Sequence, residues 1–405
     1  MFKRELEAKI KLYLEKFPCV VLLGARQVGK STLLKKIASK ARIYDMENFA
    51  DFDYVKNDPK QFLDNQKGVV VIDEAQLCPD IFKALRVKID EDRNQTGRFL
   101  LSGSSSPVLL NQISESLAGR VAIIDVPCLS WSEALRAERS NFYESLENPE
   151  SFYDLPKKYK IEDLHELCFY GLYPEPFLKR NDNEFYRAWQ EGYFRTYIER
   201  DIRSLFPKLE LEKYRKFIMM LTQSSGETIK YSSFASALDI SEPTVKTYLE
   251  IAQGTFIWNK LNAWDSHSKK RLIKMPKGYL RDTVLINHVY KLIDIEQMLT
   301  RPNFGLIWEG FVQEQIFKNL QNKLPRASLY YYRTQNKAEI DLIIQTPKSI
   351  IPVEIKSSSS FKKDHITNLT NFIEEYSCDY GILINNGDEI RQLKENIFQV
   401  PATFL

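Results

Sequence analysis

Cysteine and histidine are scarce in this sequence, which has five cysteines and four histidines among its 405 residues. The cysteines are scattered and form no C-x-x-C pair, and the histidines do not show the spacing of metal ligands. We therefore expect neither disulfides nor a zinc site. Free thiols in a reducing compartment are the expected alternative.

Excess charge and long apolar runs are missing as well. The formal net charge of +3 is too small to predict a nucleic-acid partner by itself, so such a partner requires a local cluster of cations. No apolar stretch reaches the roughly eighteen residues of a membrane-spanning helix, and the charged N-terminal segment does not resemble a signal peptide. With 43% hydrophobic and 27% charged residues, the composition predicts a globular protein, which we expect in the cytoplasm and not in a membrane.

A complete phosphate-binding motif, G-x-x-x-x-G-K-[ST], occupies residues 24–31. An apolar run at 19–23 precedes it and an amphipathic segment at 32–38 follows, which predicts a strand, a loop and a helix. Glycines allow the loop backbone to point its N–H groups at phosphate oxygens, and the start of the helix adds further donors. We expect these residues to hold a nucleotide: Gly24, Ala25, Arg26, Gln27, Val28, Gly29, Lys30, Ser31 and Thr32.

Two side chains of this motif have a defined chemistry. The Lys30 ammonium is expected at the β- and γ-phosphates, and the Ser31 hydroxyl is expected on a Mg²⁺ ion. Arg26 stands at an unspecified position of the motif, and we expect it to face solvent. The predicted cofactors are ATP and Mg²⁺, although the sequence does not decide between ATP and GTP.

An acidic motif follows a second apolar run, in which Val69 to Ile72 lead to Asp73 and Glu74. Such a run is typical of a strand buried on both faces of a parallel sheet, whose polar residues emerge at the carboxyl end, where ligands bind. We expect Asp73 to bind Mg²⁺ and Glu74 to orient the attacking water. The alternative is structural, because acidic residues also follow strands as helix caps.

Two further residues are candidates for contacts with the terminal phosphate. Ser102 ends an apolar run at 98–101, the place where a polar residue of such ATPases touches the γ-phosphate or the water; a plain turn explains it equally well. Arg120 is a candidate source of positive charge for the transition state, in the same subunit or in a neighbour. A surface salt bridge is the alternative for Arg120.

The order of elements predicts an α/β protein. Residues 1–130 alternate strands and helices, as in a three-layer α/β/α P-loop NTPase domain. Residues 131–228 are helical, and we interpret them as a lid or linker. Within them, residues 185–206 form a long amphipathic helix candidate, whose aromatic face we interpret as core.

Residues 229–299 indicate a winged-helix-like domain. Helices are predicted near 232–238 and 244–250, and strands at 256–262 and 271–274 would form the wing. A run of cations favours a phosphate backbone as partner, so DNA is a candidate. Protein docking and a merely solvated loop are the alternatives. The candidate nucleic-acid contacts are Lys269, Lys270, Arg271, Lys274 and Lys277.

Residues 300–405 carry a second chemical pattern, in the predicted order αβββαβ. Asp341 interrupts an apolar strand, and Glu354 and Lys356 share one face of the next strand because side chains alternate along a strand. With Glu309 from the preceding helix, these residues match the D…E-x-K arrangement of PD-(D/E)xK nucleases. The two carboxylates are candidates for Mg²⁺ ligands and Lys356 for phosphate stabilisation. A domain of this type that does not cleave is the alternative.

Together these segments resemble a family of prokaryotic AAA-type ATPases with a C-terminal domain of uncharacterised function. The resemblance rests on GARQVGKS at 24–31, VVVIDEAQ at 69–76, LLSGSSS at 100–106, LAGR at 117–120, YFRTYIERDI at 193–202, EIDLII at 339–344 and VEIK at 353–356. It implies ATP binding and hydrolysis, a winged helix and a PD-(D/E)xK-like core. Ser102 departs from the Asn that many AAA-type ATPases place there.

Three functions are compatible with these patterns. The first is a cytoplasmic Mg²⁺-dependent ATPase that acts as a switch, with DNA or a protein as partner. The second is an ATP-controlled nuclease, and the third is a nucleotide-binding scaffold with negligible turnover. The oligomeric state is open, and it matters because an arginine acting on a neighbouring subunit requires an oligomer.

Overall fold

The structure, a computed structural model, describes residues 2–104, 113, 115–264, 275–334, 338–361 and 363–405. These residues form two compact units. The first unit contains Met1–Leu129, Tyr173–Glu175 and Glu250–Ile257; the second contains Ser130–Leu172, Pro176–Leu249 and Trp258–Leu405. Among the helices in these ranges, none is both long enough and apolar enough to cross a bilayer.

A five-stranded parallel sheet forms the centre of the first unit. Its strands are β1 (Cys19–Gly24), β2 (Ile43–Asp45), β3 (Val70–Asp73), β4 (Phe99–Ser104) and β5 (Val121–Asp125). The helices of this unit are α1 (Leu6–Lys16), α2 (Lys30–Ile37), α3 (Phe49–Asn57), α4 (Pro59–Asp64) and α5 (Asp80–Glu91). Apolar strand residues such as Val21, Ile72 and Leu101 are buried, which explains the continuous apolar runs in the sequence.

The strand order in this sheet is β2-β3-β4-β1-β5. β4 therefore lies between β1 and β3, and all three strands point the same way. Because the carboxyl ends of parallel strands meet at one edge, the ends of β1, β4 and β3 present the phosphate loop, Ser102 and Asp73 side by side. The α/β class predicted from the sequence is confirmed by this parallel sheet and the helices beside it.

The second unit begins with a largely helical half. Its helices are α6 (Trp131–Leu135), α7 (Phe142–Ser145), α8 (Ile161–Tyr170), α9 (Pro174–Leu178, which begins in the first unit), α10 (Asn183–Thr196), α11 (Arg203–Leu205), α12 (Leu211–Gln223), α13 (Tyr231–Leu238) and α14 (Glu242–Gly254, which ends in the first unit). A π-helical turn, Tyr197–Ile202, connects α10 to α11. The predicted amphipathic segment 185–206 is thus helical, with Trp189 and Tyr193 buried.

An eight-stranded mixed sheet completes the second unit. Its strands are β6 (Trp258–Ala263), β7 (Lys277–Leu280), β8 (Ser328–Arg333), β9 (Glu339–Gln345), β10 (Ile350–Ile355), β11 (Gly381–Ile384), β12 (Arg391–Lys394) and β13 (Ile397–Gln399). The helices with it are α15 (Val284–Tyr290), α16 (Ile295–Leu299), α17 (Phe304–Lys323) and α18 (Lys363–Tyr376). The strand order is β12-β13-β11-β10-β9-β8-β6-β7.

The predicted wing falls only partly within the described residues. Its first strand, β6, pairs in antiparallel fashion with β7, and its other edge pairs in parallel with β8. The strand expected in a wing is therefore part of the large C-terminal sheet. Residues 265–274, which include the predicted second wing strand, lie outside the described residues.

Candidate functional site

The phosphate loop has the backbone geometry that its sequence predicts. Gly29 has a φ of 96°, in the left-handed region, immediately before α2 begins at Lys30. Gly24 is required for a different reason, since a Cβ at this position would lie 2.4 Å from the carbonyl oxygen of Val126. The first glycine is thus fixed by packing and the second by backbone conformation.

Lys30 is 4% exposed and turns back into its own loop. Its Nζ donates to the carbonyl oxygens of Gly24, at 3.1 Å, and Ala25, at 2.9 Å. The same nitrogen lies 3.8 Å from the Glu74 carboxylate. Ser31 and Thr32 are exposed on the first turn of α2. The Lys30 ammonium and the N–H groups of this first turn make the N-terminal end of α2 positive, which favours the binding of an anion.

Asp73, Ser102 and Glu74 form one hydrogen-bonded group at the carboxyl edge of the sheet. The Ser102 hydroxyl donates to Asp73 Oδ1, and the Glu74 N–H donates to Asp73 Oδ1 at 3.2 Å. Ser102 is fully buried. The structure therefore brings the three residues together and places Ser102 against the acidic pair.

Glu74 is held in an unusual conformation for a residue with a side chain, with φ 53° and ψ 44°. Its carboxylate accepts hydrogen bonds from Gln76 and from the Ser104 hydroxyl, the latter at 3.0 Å. Burial opposes its charge, but Lys30 and these hydrogen bonds outweigh burial and lower the pKa of Glu74 below its usual value. Glu74 is thus an ionised hydrogen-bond acceptor with a strained backbone conformation. Strained residues of this kind cluster at functional sites.

Arg4 is a contributor that the sequence did not point to. Its side chain is 6% exposed, and its guanidinium donates to the carbonyl oxygens of Val28, at 2.8 Å, and Pro127, at 2.7 Å. These bonds fasten the phosphate loop to the chain just after β5. No sequence signal identifies Arg4, because the residues it joins lie 24 and 123 positions away.

Arg26 is part-exposed and forms an ion pair with Glu47 at 3.4 Å. Arg120 lies at the other edge of the sheet, directly before β5, and donates twice to Asp90, both times at 2.8 Å. β5 has five residues, and at about 3.3 Å each they place Arg120 on the order of 16 Å from the carboxyl edge. The structure does not bring Arg120 to the phosphate loop of its own chain, and the surface salt bridge is the arrangement observed.

The donor set at the carboxyl edge fits Mg²⁺. Ser31 offers a hydroxyl and Asp73 a carboxylate, and both are the hard oxygen ligands that this ion prefers. Mg²⁺ in such sites keeps several waters and needs few protein ligands. Ser31 is exposed on the first turn of α2, where an ion can reach its hydroxyl.

The second predicted cluster also comes together, in the second unit. The Lys356 Nζ lies 2.7 Å from both Asp341 Oδ2 and Glu354 Oε2. On α17, Glu309 accepts a hydrogen bond from the Tyr279 hydroxyl. The Gln313 amide donates to Tyr279 at 3.0 Å and to the Asp341 carbonyl oxygen at 3.2 Å, which ties the two halves of the cluster together.

Lys277 belongs to this cluster, which corrects its assignment to a surface patch. Its side chain is 3% exposed, and Nζ lies 3.0 Å from Glu309 and 2.7 Å from Glu339. A buried lysine paired with two carboxylates is not available to a phosphate backbone. The other predicted contacts of that patch, Lys269, Lys270, Arg271 and Lys274, lie outside the described residues.

The acids of the cluster titrate in opposite directions. Burial and the neighbouring Asp341 raise the pKa of Glu309 to about 7, against the opposing charge of Lys277. Burial also raises the pKa of Glu354. Burial acts in the same direction on Asp341, but Lys356 and Lys277 outweigh it and lower the pKa of Asp341 to about 2. The cluster therefore holds one firm carboxylate and two acids that bind protons readily.

This donor set does not fit a divalent metal in the form described. Among the described residues, no group of three or more His, Cys, Asp or Glu side chains is arranged to hold a metal ion. Two ammonium groups already supply the positive charge that a metal would bring. The residues that match the PD-(D/E)xK pattern thus lie together as a charge cluster.

Comparison with solved structures finds distant matches. A Walker-type ATPase of Pyrococcus abyssi is 17% identical, covers 72% of this chain and 96% of its own, and has a TM-score of 0.42. The RuvB Holliday junction branch migration motor of Thermotoga maritima is 15% identical, covers 64% of this chain and 90% of its own, and has a TM-score of 0.31.

Comparison with family models and curated sequences defines the family. An AAA domain matches residues 16–135, and two domains of unknown function, DUF8612 and DUF4143, match residues 161–296 and 304–405. An uncharacterised protein of Haemophilus influenzae is 25% identical over 66% of this chain and 68% of its own length. An uncharacterised protein of Mycobacterium tuberculosis is 32% identical over 360 residues, which are 88% of this chain and 74% of that protein. At this identity and coverage, the chain belongs to the same family as the mycobacterial protein, that of AAA-type ATPases with a C-terminal domain of unknown function.

Proposed function

We propose that this protein is a Mg²⁺-dependent ATPase that acts as a nucleotide-driven switch. One observation carries the proposal: the end of β1 places Lys30 and the open first turn of α2 beside the hydrogen-bonded group of Asp73, Ser102 and Glu74. A phosphate cradle and an ionised acid within 4 Å of its lysine are the parts that hydrolysis of a terminal phosphate requires.

Each side chain has a distinct part in the proposed reaction. The amides of residues 24–32 and the Lys30 ammonium bind the β- and γ-phosphates, while Ser31 and Asp73 would hold the Mg²⁺ ion, whose charge offsets that of the phosphates. Glu74 accepts a hydrogen bond from the attacking water and orients it. Ser102 fixes Asp73, and Ser104 fixes Glu74.

The proposed switch rests on an exchange of partners at Lys30. In the structure its ammonium donates to the carbonyl oxygens of Gly24 and Ala25. With a triphosphate, the same ammonium binds phosphate oxygens and releases those carbonyls. A ligand shifts a conformational equilibrium only through such differential contacts. The proposed partners of the switch are DNA, on the strength of the basic segment Lys269 to Lys274, or another protein, and assembly into an oligomer belongs to the proposal.

Phosphate release under steady-state conditions tests the proposal. We expect MgATP-dependent release by the wild type and its loss in Lys30→Ala. Lys35→Ala, which removes an exposed lysine from the same helix, should behave as the wild type. Calorimetry that detects no nucleotide binding to folded wild-type protein would refute the proposal. Adding duplex DNA at increasing salt separates a DNA-linked switch, in which stimulation falls with salt, from a protein-linked one.

The nuclease alternative rests on the approach of Lys356 to Asp341 and Glu354 at 2.7 Å. The arrangement of the described carboxylates does not favour a metal there, so we derive no cleavage step. Plasmid cleavage with Mg²⁺ or Mn²⁺ that is lost in Asp341→Ala and kept in Glu74→Gln would establish it. Nucleotide binding with no release above the Lys30→Ala level would instead support the scaffold alternative.

A further inference from the structure

The second unit contains a groove that the proposed ATPase reaction does not use. Its volume is about 720 Å³, within the roughly 300–1,000 Å³ of small-molecule sites. α10, α12 and α15 supply its walls, and residues 291–293 close one end. All of its lining residues belong to the second unit.

Positive charge is concentrated in this groove. Arg187 and Arg195 on α10, Arg215 on α12 and Lys291 directly after α15 line it, and all four side chains are exposed. Glu191 is the single carboxylate among the described residues that line it. Four cations facing one anion in a concave surface produce a positive potential that attracts anions.

Three of these cations have no neutralising partner in the part of the chain that the structure describes. Among the side chains that the structure describes, no carboxylate forms an ion pair with Arg187, Arg215 or Lys291. In the C-terminal cluster, by contrast, both lysines lie within 3.0 Å of carboxylates. Guanidinium groups with free donors bind phosphate oxygens in a bidentate manner, which makes phosphate the matching anion.

The groove also has an aromatic side. The Phe194 and His288 rings lie 5.0 Å apart, and the Arg215 guanidinium lies 5.9 Å from the centre of the Phe194 ring. Planar groups of this kind pack against a planar ligand, such as a nucleobase. The combination of phosphate-binding cations and aromatic rings in about 720 Å³ suits a mononucleotide better than an inorganic ion.

A backbone feature points to the same place. Phe194 and Arg195 belong to the segment 193–202 that carries part of the family resemblance, and this segment ends in the π-helical turn Tyr197–Ile202. π-helical turns inside α-helices are rare and occur frequently at functional sites. The turn begins two residues after Arg195, at the end of the helix that lines the groove.

We propose that this groove is a second anion site, which binds a nucleoside phosphate independently of the phosphate loop. The cations bind the phosphate group, and the ring of the ligand packs on the side formed by Phe194 and His288. The proposal does not depend on ATP hydrolysis in the first unit.

Binding to the full-length Lys30→Ala protein tests this proposal, because that variant disables the phosphate loop. Calorimetry in EDTA with AMP, ADP, ATP and GTP, and with pyrophosphate as the ring-free probe, should show one saturable site for the nucleotides. The added substitutions Arg187→Ala and Arg215→Ala should weaken binding at least about tenfold. Arg326→Ala, an exposed arginine outside the groove, should leave affinity unchanged. Circular dichroism confirms that each variant is folded.

A second readout is local to the groove. Burial, together with Arg215 and Lys291, lowers the pKa of His288, and Glu191 opposes them. A bound phosphate adds negative charge, so the His288 pKa measured by NMR should rise with nucleotide and stay unchanged in the arginine double variant. Absence of saturable nucleotide binding in Lys30→Ala, or equal affinity in the double variant, overturns the proposal. Tight, salt-sensitive binding of a single-stranded oligonucleotide without mononucleotide binding overturns it as well, in favour of a nucleic-acid groove.

Discussion

The two charged clusters of this protein use the same residue types in opposite ways. In the first unit, the Lys30 ammonium donates to backbone carbonyls of its own loop and lies 3.8 Å from the Glu74 carboxylate. In the second unit, Lys277 and Lys356 lie 2.7–3.0 Å from carboxylates that neutralise them. The carboxylates of the second cluster therefore lie closer to their ammonium groups than Glu74 lies to Lys30.

The difference shows why a motif alone does not define a site. Both clusters match sequence patterns of phosphate chemistry. They differ in how closely a carboxylate approaches the ammonium, at 3.8 Å for Glu74 and Lys30 and at 2.7–3.0 Å for the acids beside Lys277 and Lys356. A buried ion pair that is complete resists entry of a further ion, because its groups were already desolvated on folding.

Replacing the buried Lys277 should have the largest effect, a loss of stability. Unchanged stability would contradict the contrast drawn between the two clusters. Lys277→Met leaves Glu309 without its closest cation, and loss of one partner of a buried pair costs about 3–5 kcal/mol. We expect the free energy of unfolding in urea to fall by this amount at pH 8. The loss should shrink at pH 6, where Glu309 can protonate. Lys216→Met, at an exposed position, is the control, and equal stability of both variants would show that the cluster is not self-neutralised.

Replacing Glu74, the acid proposed to orient the water, should have the next largest effect, and only on turnover. Glu74→Gln keeps the shape of the side chain and removes the charge that accepts the hydrogen bond from the attacking water, so kcat should fall about a hundredfold or more while ATP affinity is kept. Phosphate release and calorimetry measure the two quantities. Glu91→Gln, on the surface of α5, is the matched control. A kcat equal to that of the wild type would show that Glu74 has only a structural role.

The pH dependence of stability sharpens the description of the second cluster. Burial raises the pKa of Glu309 from 4.5 to about 7, so the folded state binds a proton more tightly than the unfolded state between these values. Stability from this group is therefore fully present below pH 4.5 and lost as pH rises to about 7. Asp341, with its pKa lowered to about 2, acts in the opposite sense and only in strong acid.

Glu309→Gln should remove this contribution. Between pH 5 and pH 7 the slope of unfolding free energy against pH should become less negative by at most ~1.4 kcal/mol per pH unit. Urea titrations of both proteins at pH 5, 6 and 7 measure the difference. Parallel pH profiles would mean that Glu309 is ionised throughout this range, as the other cluster's Glu74 is.

The smallest effect is expected at Arg120. Its two bonds to Asp90 and its place at the far edge of the sheet keep it from the phosphate loop of its own chain. Arg120→Ala should leave the turnover of monomeric protein within about twofold of the wild type. A larger loss that appears only at high protein concentration would indicate that Arg120 acts on a neighbouring subunit.

Local sequence predicted the first cluster well and the second only in part. Each strand of the first cluster carries its own apolar pattern and leads to one part of the site: the phosphate loop, Ser102, or Asp73 with Glu74. The periodicity and spacing of the sequence were therefore enough to predict where these residues lie. Lys277 was wrongly grouped with a basic run, because a short Lys-Gly-Tyr-Leu strand gives no alternating pattern. Its partner Glu309 lies 32 residues away, and only tertiary structure shows the pair.

The same limit applies to Arg4, Arg120 and the groove. Each depends on which distant segments meet, whereas the αβββαβ order of the C-terminal region could be predicted because each element there carries its own pattern. Helix and strand bounds agreed closely, as for the strand predicted at 19–23, which is β1 (Cys19–Gly24), and the helix predicted near 232–238, which is α13 (Tyr231–Leu238). The charges of a segment can be counted from sequence, but whether they are paired cannot.

The bonds from Arg4 to Val28 and Pro127 have a practical meaning for anyone who handles this protein. They make the opening residues of the chain part of the nucleotide machinery. An affinity tag fused ahead of these residues would lie close to the phosphate loop, whose nucleotide binding an assay measures. Placing the tag elsewhere in the chain, or removing it by proteolysis before the measurement, keeps the tag from affecting the measured nucleotide binding and turnover.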